Sequence, residues 1–161
     1  VAVADIVEAP EQRALDAYFH CDLEDPRSID AIIAREAPFD SILCLDVLEH
    51  LKDPWSQLRR LDDLLKPGGL LVVSVPNMRF VSVLLPLVFH GRFDYRDMGV
   101  MDRTHLCWFT RSTAIELAGS TGYRVVKIHG NIGGRSRKFN KLTLGLLKDF
   151  FIYQYIIMAY K

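Results

Sequence analysis

The chain has 161 residues, half of them apolar, which suits about one folded domain with a sizeable core. Twenty basic and twenty acidic residues give a formal net charge of zero, which argues against general electrostatic attraction to nucleic acid or to an anionic membrane. The three cysteines, Cys21, Cys44 and Cys107, are widely spaced among apolar residues without metal-ligand spacing, and read as buried thiols of a reducing compartment. With no signal peptide and no apolar run of about 18 residues, the default expectation is a cytoplasmic protein.

In chain order, Val1 to Ile6 (VAVADI) and Ala17 to Cys21 (AYFHC) are strand candidates, each followed by or ending near an acid, Asp5 and Asp22. Ile29 to Arg35 is a short helix candidate. Asp40 to Leu45 and Leu70 to Val75 read as apolar strands of the kind buried on both faces. Between them, Asp53 can cap a helix with Pro54 in its first turn and an apolar face of Trp55, Leu58, Leu61, Leu64 and Leu65. Lys66-Pro67-Gly68-Gly69 stops that helix and reads as structural, because glycine permits a left-handed turn.

Phe80 to Phe89 (FVSVLLPLVF) is too short to span a membrane and contains Pro86; core or pocket cover is the expectation, ahead of a lipid-facing surface. Thr110 can cap a helix through Ile115 and Leu117 that ends near Gly122. Tyr123 to Ile128 and Tyr153 to Ala159 supply two more strands. The segment Leu142 to Phe151, behind the basic run Arg135-Ser136-Arg137-Lys138, reads as a helix packed on the sheet edge, with peripheral membrane contact ranked below that. His20 and His129 read as strand-face residues without a role.

Alternation of strands and helices predicts an α/β, Rossmann-like fold: a mostly parallel sheet, helices on both faces, and an antiparallel C-terminal strand. Ligands of such sheets bind outside the carboxyl ends of the strands. Asp5, Asp22 and Asp46 stand at three such ends, and together they suit a polyhydroxylated, adenosine-like ligand.

The order strand, DVLEHL, Asp-Pro, amphipathic helix, LLKPGGLLVVSVPN resembles the class I S-adenosylmethionine-dependent methyltransferases, in particular the small-molecule branch that includes ubiquinone-biosynthesis-like enzymes. The resemblance covers about Val1 to Ile128, and Asp97 to Leu106 with Trp108-Phe109-Thr110 resembles the segment that such enzymes place over the acceptor pocket. It implies S-adenosylmethionine as cofactor and a small-molecule acceptor, lipid- or glycan-like among others. It also implies cofactor contacts from Asp5 (ribose hydroxyls), Asp22 (adenine amino group), Leu23 (adenine ring), and Leu45, Asp46 and Val47 (methionine part). A carboxylate suits a vicinal diol because it accepts two hydrogen bonds at once. His50 and His105 are the candidate bases for a hydroxyl acceptor, with Glu49 on the same rim. His50 can equally just orient its turn, and His105 and Arg103 can equally anchor a loop through Asp102 or Asp97.

The family normally opens with a central strand and a Gly-rich loop. No GxGxG precedes the first strand here, and Gly130-Asn131-Ile132-Gly133-Gly134 falls between the last two strands. The expectation is therefore one methyltransferase-like domain over 1–161 whose first strand is missing, supplied by upstream residues in the native protein. The alternative is a chain that holds the cofactor in another way. A gap in the sheet, with two unpaired edges open to self-association, should follow. Competing readings are a noncatalytic interaction module of the same fold and another nucleotide-binding Rossmann-like enzyme, such as a nicotinamide-dependent one.

Overall fold

The computed structural model describes residues 2–5, 16–134, 140 and 145–161. Its elements are β1 (Ala2–Asp5), β2 (Ala17–His20), α1 (Pro26–Glu36), β3 (Phe39–Leu45), a 3₁₀ turn (Leu48–His50) and α2 (Pro54–Asp62). There follow β4 (Leu65–Pro76), α3 (Val81–His90), α4 (Arg111–Gly119), β5 (Arg124–Ile132), the single turn α5 (Lys148–Phe151) and β6 (Ile152–Tyr160). Val1 and Ile6, the run Arg135 to Lys138, and residues 141–144 of the expected tail helix lie outside the described residues.

The strands form two sheets. β1 and β2 pair in parallel, and a second sheet has the order β3-β4-β6-β5. β3 and β4 are parallel, while β6 is antiparallel to both β4 and β5. The expected α/β architecture and antiparallel last strand are therefore present. So is the expected gap: among the described residues β1 pairs only with β2 and β3 only with β4.

Local chemistry accounts for most boundaries. Asp53 accepts a bond from Ser56 N–H at 3.0 Å ahead of Pro54, so the first turn of α2 begins with a satisfied donor and a residue that lacks one. Thr110 and Thr113 cap α4 reciprocally. Asp25 caps α1 through Arg27 N–H, and Pro26 starts the helix three residues ahead of the expected Ile29. Gly91, at φ 62°, ends α3: its N–H donates to Leu87 O and that of Arg92 to Pro86 O.

Three expectations need correction. α2 ends at Asp62, so Leu64 and Leu65 reach the core from the connection and from β4 rather than from the helix face. Lys66 to Gly69 loops out of β4, since Phe39 faces Leu65 but Ser41 already faces Leu70. Gly68 there has φ 74°, and a Cβ on Gly69 would lie 2.7 Å from Leu65 Cγ, which gives both glycines a structural reason.

β3 is not buried on both faces: Cys44 faces the core, whereas Leu43 and Leu45 are 59% and 51% exposed. β3 is the edge of its sheet, and nothing among the described residues covers its other face. Phe80 to Phe89 is not core either. In α3 only Val83 is buried, and Phe89 is 73% exposed, because a helix apolar all round can bury only the stripe that meets a neighbour. Among the described residues no helix is long and apolar enough to cross a membrane.

The core joins Leu58 and Leu61 of α2, Leu71, Val73 and Val75 of β4, Ala114 and Leu117 of α4, and Ile157 and Ala159 of β6. Phe19 of β2 and Ile29 and Ile32 of α1 extend it towards the smaller sheet. Leu71→Ala should cost about 2–5 kcal/mol in urea unfolding, since it empties a fully packed site on a central strand. Burial pushes the Cys44 thiol up to about 12. Its thiolate fraction at pH 8 is then about one in ten thousand, so alkylation followed by mass spectrometry should find Cys44 modified only in denatured protein.

Candidate active site

The site grows from the turn after β3. Asp46 sits at φ 53°, a left-handed conformation rare outside glycine, asparagine and aspartate. Its N–H donates to Ser74 Oγ at 2.9 Å, and the Ser74 hydroxyl donates back to Asp46 Oδ1 at 3.0 Å. Gln154 Nε2 of β6 donates to both carboxylate oxygens, at 2.7 and 2.8 Å. Asn131 of β5 in turn donates to Gln154 Oε1. The strand-end turn is thus tied to β4, β6 and β5.

Beyond this turn the 3₁₀ segment buries Leu48 and Glu49. Glu49 is 1% exposed, and its Oε2 has no hydrogen-bond partner. Burial pushes its carboxyl up to about 8, with the Asp46 charge adding to the effect. The Glu49 carbonyl accepts bonds from Leu106 N–H and Cys107 N–H at 2.8 and 3.0 Å, which docks the segment before α4 onto this turn. Docking brings the His105 ring to the His50 ring edge-on, with centroids 4.8 Å apart.

His50 Nδ1 lies 3.3 Å from Thr104 O, and His105 Nδ1 lies 3.2 Å from Val100 O. With Nδ1–H donating to these carbonyls, each Nε2 carries a free lone pair. Burial holds the 8%-exposed His105 below the ordinary histidine range, against the opposing pull of the Val100 carbonyl, so it is neutral at pH 7. Glu49, His50 and His105 each offer an atom, and these atoms lie within 4.8 Å of one another. They form the one group of three potential metal ligands among the described residues.

The cofactor-side candidates divide. The carbonyl of Asp5 accepts from Cys21 N–H at 2.8 Å. Burial and the charges of Asp22 and Asp5 raise the Cys21 thiol, so both acids act at one place. Asp22 Oδ1 accepts from Glu24 N–H at 2.8 Å, an Asx turn on an exposed residue. Leu23 and Val47 pack partly against the core, whereas Leu45 faces outward. Asp46 is held by Ser74 and Gln154. Lys52 links the halves, because its N–H and Nζ both donate to the Glu24 carboxylate, at 2.7 Å each.

Ser74, Gln154 and the carbonyls of Val100 and Thr104 were not signalled by the sequence, since each acts through tertiary placement. Glu49 was signalled only by its position beside His50. Arg103 pairs with Asp97 at 2.6 Å, which favours its loop-anchoring role. A cleft of about 520 Å³ opens along β2 and α1 between Phe19, His20, Asp25 and Arg35. It includes none of Asp46, Glu49, His50 and His105, and convergent polar groups mark the histidine cluster as the better candidate for chemistry.

Comparison with known proteins agrees with this architecture. Residues 1–128 match the family described as "Methyltransferase domain". The chain belongs to this methyltransferase family. Ubiquinone biosynthesis O-methyltransferase of Xylella fastidiosa (strain M23) is 31% identical over 86 residues, which are 53% of this chain and 35% of that protein. The chain therefore spans about a third of the length of this curated relative. A SAM-dependent methyltransferase of Archaeoglobus fulgidus matches 99% of this chain and 75% of its own, with TM-score 0.67 and 18% identity. The 1,6-didemethyltoxoflavin-N1-methyltransferase of Burkholderia thailandensis, solved with bound 1,6-didemethyltoxoflavin and S-adenosylhomocysteine, matches 100% and 60% with TM-score 0.62 and 19% identity. At these identities the structures share the fold of this methyltransferase-family chain.

The left-handed turn makes Asp46 testable. Asp46→Val should destabilise the fold by about 1–3 kcal/mol in chemical denaturation, since a β-branched residue is strained at positive φ and leaves Ser74 and Gln154 unanswered. Asp46→Asn should cost clearly less, because asparagine tolerates this conformation.

Proposed function

We propose that the chain carries S-adenosylmethionine-dependent methyl transfer to a hydroxyl of a small-molecule acceptor, as a single methyltransferase domain. The observation that carries this reading is the meeting of His50 and His105, lone pairs free, beside the turn at the carboxyl end of a parallel strand. The donor set fits the cofactor: Asp5 and Asp22 offer carboxylates at adjacent strand ends, suited to a ribose diol and an adenine amino group, with Leu23 for the ring. Leu45, Asp46 and Val47 would line the methionine part. S-adenosylmethionine, when bound, supplies a methyl group on a positively charged sulfur that departs as a neutral thioether.

The residues of the chain then have to align an acceptor oxygen with that methyl and relieve it of its proton. His105, which burial holds below the ordinary histidine range, and His50 are the groups to activate the hydroxyl as bases. The segment from Asp97 to Trp108, docked on the Glu49 carbonyl, would cover the acceptor. Trp108 of this segment and Phe93 and Tyr95 just ahead of it, with centroids 5.7 to 6.3 Å apart, suit an apolar or aromatic acceptor, a lipid- or glycan-like one included. The free thiols of Cys21, Cys44 and Cys107 support a reducing, cytoplasmic setting. A noncatalytic interaction module is the second reading, favoured by the edges of β1 and β3 that are unpaired among the described residues, through which copies of the chain or another protein would pair.

Calorimetric titration of S-adenosylhomocysteine into this chain, and into the chain extended upstream in its reading frame, separates the two. Binding is expected in the extended form at least, with Asp5→Ala weakening it about 5- to 150-fold, the equivalent of lost charge-assisted hydrogen bonds. Binding by neither overturns the methyltransferase reading.

A further inference from the structure

We infer that Arg79 binds an anionic group of the acceptor, a carboxylate or a phosphate, and so selects which acceptors the site takes. Arg79 lies three residues past Pro76, the last residue of β4, and β4 runs parallel to β3, which ends at Asp46. Ligands of parallel strands bind outside these carboxyl ends. The role in acceptor choice rests on the methyl-transfer reading.

The backbone at Arg79 is held by a buried side chain. Asn77, which is 0% exposed, donates from Nδ2 to Asp149 O at 2.7 Å and to Ile152 O at 2.8 Å, while its Oδ1 accepts from Arg79 N–H at 3.0 Å. Asn77 thus ties Arg79 to the turn α5. That turn sets the Phe150 ring beneath the guanidinium, with Cζ 4.5 Å from the ring centroid. Stacking of this kind orients the guanidinium plane and leaves its N–H donors at the edge.

Those donors are not engaged by the protein. Among the described residues the acid paired with Arg79 is Asp149, and Nη1 lies 3.9 Å from its Oδ2, beyond hydrogen-bond distance. The side chain is also 43% exposed, and so open to a ligand. A second guanidinium, that of Arg111 at the start of α4, acts on the same place: burial first and the Asp149 charge next raise the Tyr155 hydroxyl, whereas Arg111 and Arg79 lower it. Two positive charges against one negative leave the place net positive. A carboxylate or phosphate can accept two parallel N–H···O bonds from one guanidinium, and a neutral hydroxyl cannot match this.

Asp149 separates this role from a structural one. If Arg79 awaits an anion, the Asp149 carboxylate competes for it, and removing that charge tightens anion binding. If Arg79 only covers Phe150, anions take no notice of either residue.

The test follows the Arg79 Nε–Hε signal by heteronuclear NMR, identified by its loss in Arg79→Lys, as benzoate, phenyl phosphate or phenol is added to the chain. Benzoate and phenyl phosphate should shift it saturably, and phenol should not. Arg79→Gln and Arg79→Lys, read on the Asn77 and Phe80 amides, should weaken both anions at least ~10-fold with far-ultraviolet circular dichroism unchanged, since lysine keeps the charge without the fork. Asp149→Asn should bind both anions more tightly than the unaltered chain. An unmoved signal, an equal response to phenol, or unchanged affinity in Arg79→Gln overturns the site. Should an Arg79 variant fail to fold, the response of the unaltered chain and of Asp149→Asn decides. S-adenosylhomocysteine titrated into the same samples keeps the two readings apart: anion binding at Arg79 in a chain that ignores it, alone and extended upstream, would leave the anion site standing and remove only its role in acceptor choice.

Discussion

A chain of hydrogen bonds across the end of the larger sheet sets the position of the turn that carries Asp46, Glu49 and His50. Asn131 of β5 holds Gln154 of β6, Gln154 holds both oxygens of Asp46 after β3, and Ser74 of β4 closes on Asp46 from the other side. All four strands of that sheet contribute, although β3 and β5 stand at opposite edges. The carboxylate is what makes the chain continuous, because only it can accept from Gln154 and Ser74 together. Its left-handed backbone then turns the polypeptide abruptly enough to bury Leu48 and Glu49 within four residues of the strand end at Leu45. A less constrained exit from β3 would not bring the Glu49 carbonyl to the N–H groups of Leu106 and Cys107, and His105 would not meet His50.

Much of this architecture is legible in the sequence, for reasons that are local. Asp53-Pro54 and Thr110 mark helix starts because capping needs a side-chain oxygen at one defined position, and the apolar runs of β4 and β6 mark central strands because both neighbours and both faces exclude water. What misleads is the same rule applied to β3. Its run of Ile42, Leu43, Cys44 and Leu45 is as apolar as a central strand, yet its burial alternates because no strand pairs with its free edge among the described residues. α3 misleads in the same way, since composition alone does not say how many faces of a helix meet a neighbour.

The site is legible only in part, and the division follows chain distance. Asp46, Glu49 and His50 lie within one motif, so their proximity is visible at once. Their burial is not, and burial is what changes Glu49 from an exposed rim acid into an enclosed carboxyl with an unanswered oxygen. His105 is visible as a histidine, but its meeting with His50 depends on two hydrogen bonds to a single backbone carbonyl. Ser74 and Gln154 carry no motif at all. Their roles come from strand register, which places Ser74 opposite Leu45 and Gln154 opposite Pro76.

Two half-sites of different rigidity result. The side with Asp46, His50 and His105 is fixed by bonds that run through a four-stranded sheet and a docked segment. The side of Asp5 and Asp22 rests on a two-stranded sheet, which is marginal by itself and relies on Phe19, Ile29 and Ile32 to reach the common core. The Lys52–Glu24 pair bridges them at the surface, where water and salt screen an ion pair and leave it little stabilising effect. Orientation between the halves must therefore come from apolar packing and from whatever occupies the space between the β1 and β3 edges. An adenosine-bearing ligand that touched both halves would itself contribute to their alignment, so binding and ordering would be the same event.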